Sequence, residues 1–325
     1  MRFSFAPVQS LPRFNEMIMQ AKLAEDLGYH GLWAHEHHSE GTMYPCPLVT
    51  CSIMAGVTDH IKIGTNMLLL PLYHPVRVAE EGAMVDAQSG GRLRIGMSAG
   101  YSDTDLGSYN INPRDRGKIM EEGIRLIKTL WSEENIYLDE RFSHLRNYTL
   151  FPKPAQNSGP PIYLGATIDK AIRRAARLAD EFLVSATQRI VDIPRVTGIY
   201  KDELISLGKD SLDKCTTINR IVCVVENAFE KDRALKFFGE IFLKLYMKWG
   251  HSNVTELDTG LRELQKLASD HFIIGEPEEC IDLVSRYREL DIGEIACLMN
   301  YGGPELEIVE KSMRLFAGKV MPKFT

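Results

Sequence analysis

Short apolar runs alternate along this chain with longer stretches whose apolar residues recur every three or four positions. The first kind of segment reads as a buried strand and the second as an amphipathic helix. Strands are predicted at residues 2–6, 31–34, 61–67, 93–97, 162–164, 182–184, 216–225 and 294–299. Helices are predicted between them. The first runs over 13–27, where Met17, Ala21, Ala24 and Leu27 keep helical spacing and Gly28 closes the segment. Others cover 48–57, 75–89, 114–131, 169–178, 194–206, 230–248, 277–290 and 306–320. Pro75 suits a first helical turn, and Ser89-Gly90-Gly91 a stop. The rhythm breaks twice. Residues 132–160, ending in Pro152, Pro154, Pro160 and Pro161, read as a loop excursion. Residues 250–272 read as irregular, with a weak amphipathic repeat at Leu261, Leu264 and Leu267. Eight strands separated by helices predict an α/β fold, a (β/α)₈ TIM barrel, formed by residues 1–325 as one domain.

A barrel collects its chemistry where strands end. The second predicted strand ends in His35-Glu36-His37-His38, the densest cluster of groups that titrate near neutrality. His35 and His37 alternate and so share a face, a spacing that also suits two metal ligands of a hydrolase. The remaining ligands of such a site are missing from the ends of strands five, six and eight, which carry no His or Asp, so no metal is assigned. Strand three ends near Asn66-Met67, and strand four in Ser98-Ala99-Gly100-Tyr101. Strand five ends in Gly165-Ala166-Thr167, small residues followed by a helix whose first amides are free to bind an anion. A plain helix cap at Thr167 is the alternative.

Composition adds limits. The chain has 325 residues, 44% hydrophobic and 25% charged, with a formal net charge of −6. That balance argues against nucleic acid and anionic membranes as partners. Cys46, Cys51, Cys215, Cys223, Cys280 and Cys297 form no CxxC pair and no zinc spacing. Free buried thiols in a reducing compartment are expected, and with no signal sequence or membrane-length apolar run the expected location is cytoplasmic. No Gly-x-Gly-x-x-Gly nicotinamide fingerprint occurs.

The ordered blocks Trp33 to His38, Tyr44-Pro45, Ile63 to Leu72, His74-Pro75-Val76-Arg77, Ala79-Glu80 and Ser89 to Leu93 resemble the bacterial-luciferase-like family of flavin-dependent monooxygenases. So do Gly275 to Cys280, Ser312 to Phe316 and Val320-Met321-Pro322. The resemblance implies a (β/α)₈ barrel that takes reduced FMN from a separate flavin reductase and uses oxygen to oxygenate a small organic substrate. A deazaflavin-dependent dehydrogenase on the same barrel is the alternative. It implies catalysis by His37, as base or proton donor, with its tautomer set by a neighbour such as Glu36 or His35. It implies a non-proline cis peptide at Asn66-Met67 beneath the flavin ring. Ser98 falls where luciferase has a reactive cysteine, and Ala99 where luciferase has a phosphate-holding arginine. Gly165, Ala166 and Thr167 match the phosphate-binding turn. A homodimer through helices two and three is implied as well, with Ala55, Gly56, Val78, Ala79, Gly82 and Ala83 suited to that interface or to packing on the barrel.

Overall fold

The computed structural model describes residues 1–8, 13–38, 44–140, 143–209, 216–248 and 261–324. Eight parallel strands close into a barrel: β1 (Arg2–Phe5), β2 (Gly31–Ala34), β3 (Lys62–Leu69), β4 (Leu93–Ser98), β7 (Ile162–Gly165), β8 (Glu181–Val184), β9 (Thr216–Val224) and β11 (Glu294–Leu298). The ring closes where Phe182 to Val184 of β8 pair with Thr216 to Ile218 of β9. All eight strands coincide with predicted ones. The connecting helices are α1 (Phe14–Asp26), α2 (Pro47–Ala55), α3 (Pro75–Gln88), α5 (Arg116–Ser132), α6 (Asp169–Leu178), α7 (Ile193–Ser206), α8 (Ala228–Lys248), α10 (Pro277–Glu289) and α11 (Leu306–Leu315).

Two predicted irregular stretches are corrected. The 132–160 excursion holds an antiparallel hairpin, β5 (Ile136–Glu140) with β6 (Ser143–Tyr148), tied down where the Tyr148 hydroxyl donates to Glu80 Oε1 at 2.8 Å. Of the 250–272 segment, residues 250–260 lie outside the described residues. The remainder is α9 (Leu261–His271) running into an added strand β10 (Phe272–Gly275) that pairs with Ile221 to Val224 of β9. Leu264 and Leu267 of the weak repeat are buried. Leu264 packs so closely on Gly239 of α8 that a Cβ there would meet its Cδ2 at 2.7 Å. A short helix α4 (Asp103–Ser108), also unpredicted, is capped by Ser102, whose Oγ accepts from the Asp105 amide at 3.1 Å.

The amino-terminal end of the barrel is plugged by charge. Arg94 donates to both oxygens of Glu294, at 3.0 and 2.9 Å, and lies 3.9 Å over the Trp33 ring. Ser4 Oγ and Trp33 Nε1 also donate to Glu294, at 2.6 and 3.2 Å. Glycines make the room: a Cβ at Gly31 would meet Arg94 Nη2 at 2.1 Å, and one at Gly64 would meet Trp33 at 2.4 Å. Burial alone would raise the Glu294 pKa. Arg94, the Ser4 hydroxyl and Arg2 outweigh it and hold the carboxyl below its ordinary value. The stability this contributes is present at neutral pH and is lost as pH falls through the folded pKa. Glu294→Gln leaves Arg94 buried without its counter-ion, and a loss of about 3 kcal/mol at pH 7 is expected in urea unfolding. The difference from the parent should shrink below about pH 4.

The small residues of α2 and α3 face inward. Val78, Ala79 and Ala83 are fully buried within one chain, and Gly82 lies against Ile95 and Trp131. Ala55 is buried as well, whereas Gly56 is exposed. Of the cysteines, Cys51, Cys223, Cys280 and Cys297 are buried free thiols and Cys46 is exposed, while Cys215 lies outside the described residues. Among the described residues, no helix is long and apolar enough to cross a membrane.

Candidate active site

The site residues sit at the carboxyl ends of β2, β3, β4 and β7. β2 is a four-residue buried strand, so the chain leaves the sheet with His35 to His38 directly after it. His35 donates from its ring to the Asn66 carbonyl, and burial lowers its pKa to about 4 against the pull of that bond. The ring is therefore neutral at physiological pH. Asn66 is held from the other side by Asn219 of β9: Asn66 Nδ2 donates to Asn219 Oδ1 at 2.7 Å, and Asn219 Nδ2 returns a bond at 3.1 Å. Both residues are buried, and paired amides satisfy each other without water.

The Asn66-Met67 peptide is cis, as the resemblance implies, and the β3–β4 register slips between Thr65 and Leu68. The Met67 side chain crosses to β7. A Cβ at Gly165 would lie 2.0 Å from Met67 Sδ and 2.3 Å from its Cε. Asn66, Met67 and Gly165 thus form one continuous floor. Ala166 and Thr167 follow, half-buried, and Asp169 opens α6. The residue in the cap position is Ile168, not Thr167, and it makes no side-chain cap bond. The amino end of α6 therefore lacks a side-chain cap from its N-cap residue. Gly165→Ala must push Met67 aside; if the flavin that the resemblance implies rests here, at least a tenfold loss of flavin affinity is expected by fluorescence titration, with the melting temperature changed by only a few degrees. Unchanged affinity would separate this floor from the cofactor.

Ser98 lies beside Leu69 in the β3–β4 register, and its Oγ accepts from the Gly100 amide at 3.4 Å. Ala99 is half-buried against the apolar core. His37 is half-buried at the strand-two end. Glu36, offered above as a neighbour that sets the His37 tautomer, lies against His38 as well, whose Nε2 is 2.6 Å from Glu36 Oε1. Glu36 Oε2 accepts from the Leu69 amide at 2.9 Å. His35, the other suggested neighbour, is committed to Asn66. The segment that leaves β2 puts residues 36 and 38 within hydrogen-bond distance of each other.

Asn219, Tyr73 and Tyr109 were not singled out from the sequence, and His38 was named only as part of the strand-two cluster. Asn219 stands as a polar residue in the apolar run Ile218 to Val225, and alternation along β9 would place it inside the barrel. Tyr109 follows α4 rather than a strand end and meets His38 across 71 positions of sequence.

Comparison with known proteins agrees with this geometry. The model of the luciferase-like monooxygenase family matches residues 2–293. The oxygenase component of a flavin-dependent trigonelline monooxygenase from Acinetobacter baylyi is 25% identical, covering 96% of this chain and 90% of that protein. An F420-dependent glucose-6-phosphate dehydrogenase from Nakamurella multipartita is 23% identical, over 95% of this chain and 92% of that one. Among solved structures, the monooxygenase RslO1 from Streptomyces bottropensis superposes with a TM-score of 0.87 at 20% identity, each chain covered fully. The chain is an oxidoreductase that belongs to the luciferase-like monooxygenase family.

Proposed function

We propose that this chain is the oxygenase of a two-component flavin monooxygenase, taking reduced FMN from a separate reductase and oxygenating a small organic substrate with molecular oxygen. The observation that carries the reading is the continuous floor from Asn66-Met67 through Gly165 to the uncapped amino end of α6. A planar ring system has a surface to rest on there, and its phosphate has backbone amides to meet. When bound, the flavin supplies the electrons and activates oxygen. The protein's part is to hold and screen it. Gly165, Ala166 and Thr167 would bind the phosphate, with the Thr167 hydroxyl adding a donor. Asn66, Met67, Ser98 and Ala99 would face the ring system. His37 would take or give a proton at the reacting substrate. Ala99 offers no charge-assisted bond, so phosphate binding relies on α6 and the turn. A charge-assisted hydrogen bond is worth about 1.5–3 kcal/mol, and its absence fits a flavin that diffuses in and out.

The test is anaerobic titration with reduced FMN followed by oxygen uptake with a reductase present. Binding of reduced FMN more tightly than oxidised FMN, and substrate-dependent oxygen uptake, are expected. Hydride transfer to deazaflavin without oxygen uptake would establish the second reading, which the F420-dependent relative favours. The remaining parts of the proposal are a single catalytic domain, a cytoplasmic location and a homodimer. Val49 of α2 and Met84 of α3 are 60% and 61% exposed, and they give those helices an apolar outer face for a second copy.

A further inference from the structure

We propose that His38, held by Glu36, is a proton reservoir of this site, with Glu36 as its positioning residue and the Tyr109 hydroxyl as its outlet toward the mouth. Glu36 is only 5% exposed. A buried carboxylate must be compensated. Its bonds go to the Leu69 amide and His38, with the Tyr73 hydroxyl, which donates to the Pro45 carbonyl, close by, and of these only His38 can carry a positive charge. The pair is short, at 2.6 Å, as expected for a bond with an ionised partner.

The surroundings reinforce the assignment. Asp105 of α4 acts on His38 from across the mouth, and Tyr73 and Cys46 face Glu36. The hydrogen bond that His38 donates to Glu36 raises the His38 pKa, burial opposes it, and the charges of Glu36 and Asp105 add to the rise. Burial raises the Glu36 pKa, and His38 and the Leu69 amide partly offset that. The pair therefore retains one proton to higher pH than a free imidazole. With Nε2 turned to Glu36, the other ring nitrogen, Nδ1, lies 3.5 Å from the Tyr109 hydroxyl, and the two rings meet edge to face at 5.4 Å. Tyr109 is 46% exposed. A proton leaving Nδ1 passes to the tyrosine oxygen as the tyrosine gives its own to a water in the mouth of the site, the side from which the reacting groups would take it, with no change in electron count. This function rests on the oxygenase reading, in which release of the second oxygen atom as water requires a proton.

The experiment separates the two. Histidine-selective NMR titration of the flavin-free protein, with His38→Gln to assign the signal, reads the pair directly. His38 is expected to titrate above the ordinary value of about 6.5, and Glu36→Gln to lower it by about 1 unit or more. A parent His38 that titrates at or below 6.5 overturns the proposal whether or not Glu36→Gln folds. So does a Glu36→Gln protein, folded by circular dichroism, in which His38 has not moved. With activity in hand, the alkaline limb of the oxygen-uptake profile should fall by the same shift in Glu36→Gln. A limb that stays while the NMR value moves overturns the reservoir role. A protein that shows the expected titration but takes up no oxygen with any flavin refutes the oxygenase reading and leaves the paired proton standing.

Discussion

His37→Ala is expected to fold like the parent and to lose about 10²–10⁴-fold in turnover, the range typical of removing a general acid or base. That range corresponds to about 3–5 kcal/mol of transition-state stabilisation. The position lies past the end of β2 and belongs to none of the apolar clusters, so truncation opens no core cavity. Steady-state kinetics should show the loss in kcat more than in KM, since binding is assigned to the floor and the α6 turn. His60→Ala is the control. Its side chain is 79% exposed, and its ring lies 3.5 Å from Glu25. A surface pair of that kind contributes about 0–1 kcal/mol to stability and nothing to the site. Comparable losses from both substitutions would remove His37 from its role. A His37→Ala enzyme that keeps full turnover would shift attention to His38.

Thr167→Glu is expected to abolish flavin binding while leaving the fold intact. The residue precedes the Ile168 cap position, within reach of the first turn of α6. A carboxylate there is favourable to the helix dipole by about 0.3–1 kcal/mol. Asp169 in that turn already carries a negative charge and is matched by Arg195 at 2.7 Å. The added carboxylate would occupy the anion position and repel a phosphate carrying up to two charges. Melting temperature and cofactor affinity should therefore separate, the first held or slightly raised and the second lost. Thr167→Ala, which removes only a hydroxyl donor, should weaken binding by about tenfold. Parent-like binding by the Glu variant would reduce the Gly165-Ala166-Thr167 turn to a plain connection between strand and helix.

The eight barrel strands were legible because each is buried on both faces, which makes it a compact apolar run between breakers. The β5–β6 hairpin was hidden by the opposite condition. Tyr137, Asp139 and Glu140 are exposed, and the prolines that follow dominate the local signal. β10 escaped notice because α9 runs into Phe272 without a Gly or Pro to separate helix from strand. In the site, residue types were legible and partnerships were not. The His-Glu-His-His string announced titratable chemistry, yet adjacency pointed Glu36 toward His37. The structure pairs 36 with 38. What no local pattern carries is the crossing from Asn66 to Asn219, or from Met67 to Gly165. Those contacts join residues about 100 or more positions apart and exist only once the barrel has closed.

The ion-paired plug at the amino end of the barrel divides the molecule into two regimes of mutational tolerance. Arg94, Glu294, Ser4 and Trp33 interlock within spaces that Gly31 and Gly64 leave open, so each is constrained by the other five. The opposite rim is built from the segments that follow β2, β3, β4 and β7. Substrate range can therefore be rebuilt at the rim, by selection or by design, without renegotiating the anchorage on which folding depends. A saturation library scored separately for folded yield and for turnover should show this as two spatially distinct populations of sensitive positions, one at each end of the barrel.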